Sequence, residues 1–141
     1  MARWPASLLV GVVVAAGLAG CTQSGRVEDR SITVSPATAL VDQPVTVSIT
    51  GLEADGPVTV TATATDAVGV TWSSSADFRA GGDGRLSLGQ APVGGSYSGA
   101  NPMGLFQFMT PEDPRSYGFG SLLSGTHDVR LEVKVDGGTV A

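Results

Sequence analysis

The sequence predicts an all-β fold, an antiparallel immunoglobulin-like β-sandwich of about seven strands preceded by a signal helix and a flexible tether. Apolar and polar residues alternate with period two through several β-branched runs, the pattern of strands with one buried face. Glycine makes up 20 of the 141 residues, about twice its usual share, and it falls between those runs as turn punctuation. No segment of the body sustains a helical period. The length suits one domain plus a targeting segment.

Residues 1–20 read as a secretory signal peptide. Arg3 gives a positive start, Ala6 to Gly17 is an apolar run, and Ala19-Gly20 is a small-residue exit. The run is shorter than the roughly 20 residues that a membrane-spanning helix needs. Leu18-Ala19-Gly20-Cys21 resembles the bacterial lipobox. That resemblance implies cleavage between Gly20 and Cys21 and attachment of diacylglycerol to the Cys21 thiol. The product would be a lipoprotein with palmitate-type chains, held on the extracytoplasmic side of a bacterial cell membrane. Two acyl chains anchor firmly where one holds only marginally. An ordinary signal peptide with an incidental cysteine is the other reading. Arg3 is a lone arginine, so the twin-arginine route has no support. Residues 21–31 are short, polar and patternless, as a tether would be.

The domain is expected over residues 32–141. Val45, Val47 and Ile49 alternate with Thr46, Ser48 and Thr50, and Val58, Val60, Ala62 and Ala64 alternate with threonines. Val129, Leu131, Val133 and Val135 alternate with Arg130, Glu132 and Lys134. Val70 to Ser75 and Arg85 to Leu88 are shorter runs, separated from their neighbours by Asp66 to Gly69 and by Gly81-Gly82-Asp83-Gly84. Leu105 to Met109 is a buried strand or one helical turn, and Glu112 to Gly125 is a long loop. Asp136-Gly137-Gly138 reads as a hairpin turn with Thr139-Val140-Ala141 opening the partner strand. That ending leads us to expect the front part of a longer protein.

Charge and chemistry exclude more than they suggest. Eight basic residues against thirteen acidic ones give a net charge of −5, the wrong sign for a nucleic-acid binder. Cys21 is the single cysteine, which leaves no disulfide framework within one chain. His127 is the single histidine, so no metal site and no cofactor are expected. His127 beside Asp128 makes a poor catalytic pair, because neighbouring strand side chains point to opposite faces. Gly82-Asp83-Gly84 and Asp136-Gly137 lack the spaced oxygen ligands of a calcium loop and read as turns. There is no phosphate-cradling loop, and Gly94-Gly95-Ser96-Tyr97-Ser98-Gly99 does not have nucleophile-elbow spacing. No catalytic residue is expected in this chain.

The segment Gly94-Gly95-Ser96-Tyr97-Ser98-Gly99-Ala100-Asn101-Pro102-Met103-Gly104-Leu105 resembles the N-terminal domain of the acyl-CoA thioesterase and bile acid-CoA:amino acid N-acyltransferase family. Other pieces match in order: Ile32 to Pro36, Asp42 to Val45, Gly51-Leu52, Pro57-Val58, Trp72 to Ser74, Phe78 to Ala80, Gly84 to Leu88, and Met109 to Glu112. The resemblance implies a β-sandwich placed before an α/β-hydrolase domain whose nucleophile, histidine and acid cleave acyl thioesters. Those catalytic residues have no counterpart here. A lipobox departs from the better-known intracellular members, and it counts against intracellular acyl-CoA as the substrate, because CoA esters are scarce outside the cytoplasm. The glycine-rich motif has two readings. It is a tight loop packed on the sandwich, or an interface motif (Gly94, Gly95, Ser96, Tyr97, Ser98, Gly99, Pro102, Met103, Gly104, Leu105) in which Tyr97, Met103 and Leu105 offer an apolar ledge to a hydrolase domain. A stand-alone, surface-anchored immunoglobulin-like binding lipoprotein is the alternative function.

Overall fold

A computed structural model of the chain describes residues 29–40, 42–114, 127–136 and 138–140. The expected signal segment, the expected tether up to residue 28 with Cys21, and residues 115–126 of the expected long loop lie outside the described residues.

Among the described residues, β1 (Ser31–Ser35), β2 (Thr46–Thr50) and β5 (Leu86–Ser87) form a small sheet in the order β1-β2-β5. The larger sheet runs β6-β4-β3-β8-β9, with β3 at Pro57–Thr65, β4 at Thr71–Arg79, β6 at Gly94–Gly95, β8 at Val129–Val135 and β9 at Gly138–Val140. β7 (Thr110–Pro111) also pairs with β4, and a single helical turn, α1, spans Gly104–Gln107. Every pairing is antiparallel. The fold is the expected all-β sandwich. The seven expected strands are present, and β6 and β7 are two-residue additions inside segments read as irregular.

The β3–β4 hairpin is the spine. Nine consecutive residue pairs join it, from Pro57 opposite Arg79 to Thr65 opposite Thr71. Seven more pairs join β3 to β8. β-Branched residues every second position suit a pleated, half-buried surface, which is why this text forms strand. Val58, Val60, Ala62 and Ala64 of β3, and Trp72, Ser74, Ala76 and Phe78 of β4, all point inward. They meet Val47 and Ile49 of β2, Leu86 and Leu88 around β5, and Val133 of β8 in one core. Each such large apolar side chain contributes about 1.5–3 kcal/mol on burial. The opposite face of β3 and β4 is hydroxyl-rich, with Thr59 donating to Asp77 at 2.7 Å.

The Leu105 to Met109 stretch resolves as a helical turn. α1 packs on β4 and β3, above a spot where Ala62 stands opposite Ser74. The Ser74 hydroxyl donates to the Leu105 carbonyl, which satisfies a buried polar side chain. β8 starts at Val129, so His127 and Asp128 precede the strand, and the expected β8–β9 hairpin forms with Val135 opposite Gly138.

Candidate interface segment

Residues 93–109 run along the free edge of β4 and then fold over it. The Val93 amide donates to the Asp77 carbonyl at 2.7 Å, and the Ser96 amide to the Ser75 carbonyl at 2.7 Å. The Ser96 hydroxyl returns the bond, accepting the Ser75 amide at 3.0 Å. Between them Gly94 and Gly95 pair with Asp77 and Ala76. Gly95 has φ of +115° and lies so close to β4 that a Cβ would collide with the Ser75 carbonyl and the Ala76 Cα. Only glycine fits both demands.

Tyr97 then turns inward and is only 7% exposed. One side of its ring lies against Gly104, where a Cβ would collide with the ring's Cδ2, Cε2 and Cζ atoms. It stacks on Phe108 with centroids 5.9 Å apart and planes 15° from parallel. The Tyr97 hydroxyl is buried and finds no hydrogen-bond partner among the described residues. Burial pushes its phenol pKa up from the ordinary value, because the charged form would lose its solvation.

Ser98, Gly99 and Ala100 form the exposed tip. Asn101 closes it: its Oδ1 accepts the Met103 amide at 3.0 Å, and its Nδ2 donates to Gln107 Oε1 at 2.9 Å. Pro102 is exposed. The sulfur of half-buried Met103 accepts the Val45 amide at 3.2 Å, so a thioether ties this segment to the residue before β2. Leu105 is 1% exposed and belongs to the core.

Of the ten motif residues, Gly94, Gly95, Ser96, Tyr97, Met103, Gly104 and Leu105 make contacts within the domain, whereas Ser98, Gly99 and Pro102 are exposed. Tyr97 and Leu105 are core residues. The apolar surface that the segment leaves open is Val93, 73% exposed, and Phe108, 48% exposed. Sequence reading passed over both. Phe108 lay inside the recognised apolar stretch, but only the stack on Tyr97 gives it a distinct place.

A second arrangement was also hidden. Asp66, read as turn punctuation, is buried at the tip of the β3–β4 hairpin. Its Oδ1 accepts the Val68 amide at 3.0 Å and the Val70 amide at 2.9 Å, while Oδ2 accepts the Trp72 indole N–H at 3.0 Å. The Trp72 bond holds the carboxyl below its ordinary pKa, and the Val70 and Val68 amides reinforce it against the opposing effect of burial. The signal available in the text was an Asp able to fold back on its own turn amides, followed six residues later by Trp.

His127 has a buried Nε2 without a hydrogen-bond partner among the described residues, and it is not joined to Asp128. Among the described residues, no three His, Cys, Asp or Glu side chains gather where they could hold a metal.

These features define a β-sandwich with a glycine loop bound along one sheet edge and no assembled nucleophile, base and acid among the described residues. Residues 42–138 match the family described as the acyl-CoA thioester hydrolase/BAAT N-terminal region. The match spans more than half of the chain, and the chain belongs to that family. No curated protein matches it significantly. β1 lies ahead of the matched residues.

Proposed function

We propose that this chain is the non-catalytic N-terminal domain of a lipoprotein resembling acyl-CoA thioester hydrolases and acyl-CoA:amino acid N-acyltransferases. It is anchored through lipidated Cys21 on the extracytoplasmic side of a bacterial membrane, and it packs on an α/β-hydrolase domain that cleaves acyl thioesters. The family match over residues 42–138 carries this reading. The text Leu18-Ala19-Gly20-Cys21 supports the anchor. Within the domain, Val93 and Phe108 supply the apolar contact, set at fixed positions by the loop that Gly95, Tyr97 and Gly104 lock in place. An aromatic ring held by a stack suits an interface core because little freedom is lost on docking.

The test is the intact mass of the native protein extracted from membranes, followed by a thioester hydrolysis assay on it. A product larger than the lipidated Cys21–Ala141 chain by a second domain, active on acyl thioesters, is the expected result. A lipidated product ending at Ala141 and inactive on thioesters overturns the hydrolase reading. That outcome favours the second one, a stand-alone surface-anchored binding lipoprotein. The lipobox-like sequence Leu18-Ala19-Gly20-Cys21 is the observation on its side, because an extracytoplasmic protein would meet little CoA ester.

A further inference from the structure

We infer that Met103 is a peroxide-sensitive modification site, and that its oxidation to the sulfoxide releases the 101–108 turn from the small sheet. The Met103 sulfur is the acceptor for the Val45 amide at 3.2 Å, across 58 residues of sequence. The same residue anchors α1 through its backbone. Its carbonyl accepts the Phe106 amide at 3.0 Å and the Gln107 amide at 2.9 Å, and its own amide is held by Asn101. Displacing this one side chain therefore pulls on the whole turn, including Phe108, which stacks on Tyr97.

A thioether sulfur has two lone pairs. One accepts the Val45 N–H, and the other is left for an oxidant. Hydrogen peroxide is the reagent. The free lone pair attacks one peroxide oxygen, the O–O bond breaks, and the departing hydroxide takes the remaining proton to leave as water. Sulfur loses two electrons and peroxide gains them. The sulfoxide sulfur then carries partial positive charge and no longer accepts the Val45 N–H; the acceptor becomes the new oxygen, one S–O bond away, so the side chain must leave its present position. The new oxygen makes the side chain polar where it was apolar. Met109 provides an internal comparison. It is only 9% exposed and sits in the core, whereas Met103 is half-buried.

The experiment treats the purified full chain with hydrogen peroxide and follows Met103 and Met109 by peptide mass mapping. Amide hydrogen exchange is read at Val45 and across residues 104–108. Met103 is expected to oxidise several-fold faster than Met109, following exposure. Exchange at Val45 should rise by roughly tenfold on oxidation, as one weak hydrogen bond is lost. A methionine sulfoxide reductase should return it to the starting rate. Met103→Leu, which can take up no oxygen, should show exchange at Val45 that peroxide does not change. Oxidation of Met109 as fast as Met103, or unchanged exchange at Val45 in the Met103-oxidised protein, overturns the inference.

Discussion

The β3–β4 hairpin and the 93–109 segment share strand β4, yet they are held by opposite means. The hairpin repeats one simple interaction: nine ladder pairs with an apolar residue inward at every second position. The segment repeats almost nothing. It touches β4 through two ladder pairs at β6, is followed by two more at β7, and depends on single fits at Gly95, Gly104, Ser74 and Met103. A periodic structure spreads its stability over many equivalent contacts. A segment built from unique contacts concentrates it, so a single atom in the wrong place is felt throughout.

The largest effect is expected in the hairpin's buried face, which sets the upper end of the comparison. Phe78→Ala should cost about 4 kcal/mol in urea unfolding, the sum of lost transfer energy and a cavity. Gly95→Ala should come next at about 3 kcal/mol, because one added methyl group meets strand backbone that cannot yield and also faces an unfavourable φ. The contrast fails if an outward-facing, half-buried hairpin substitution, Thr63→Val, costs as much. Its expected effect is within about 0.5 kcal/mol.

Asp66 tests the hairpin tip. Its folded-state pKa is depressed, so the folded chain holds that proton less tightly than the unfolded chain. The stabilisation is complete above the ordinary carboxylate value, about 4, and is lost as pH falls through the lower folded value. Asp66→Asn should flatten this acid-side loss in a melting-temperature series against pH. An unchanged pH profile would mean that the Trp72 bond contributes nothing. Tyr97→Phe is expected to act in the opposite direction to the core substitutions, if at all. Removing a buried hydroxyl with no described partner should leave stability unchanged or raise it by up to about 1 kcal/mol. A loss would show that the hydroxyl is satisfied in solution, for example by water.

The same contrast explains what could be read from the sequence. The runs from Val58 to Thr65 and from Val129 to Val135 were legible because burial acts on each residue separately and leaves its period in the text. β4 was expected only to Ser75, but it continues to Arg79 because β3 extends alongside it and offers partners. β6 and β7 were not legible. Gly-Gly and Thr-Pro have little strand preference, and they become strands only because β4 presents a free edge. Of the ten motif residues, the glycines marked the tight turn, but no local pattern shows that Tyr97 needs Gly104 as its floor and Phe108 as its cover. Asp66 and Trp72 stayed apart in the reading because their bond depends on hairpin geometry.

β1 has a mechanical consequence. It lies antiparallel to β2 through five pairs, from Ser31 opposite Thr50 to Ser35 opposite Thr46. The residue leading into it is clamped as well, since Gly51 is pressed against the Asp29 and Arg30 backbone. A pull on the chain before Ser31, directed along the strand, loads all five pairs together in shear. The same pull directed across the sheet would open them one at a time. The angle at which tension arrives therefore decides whether the edge of the small sheet behaves as a clamp or as a zip.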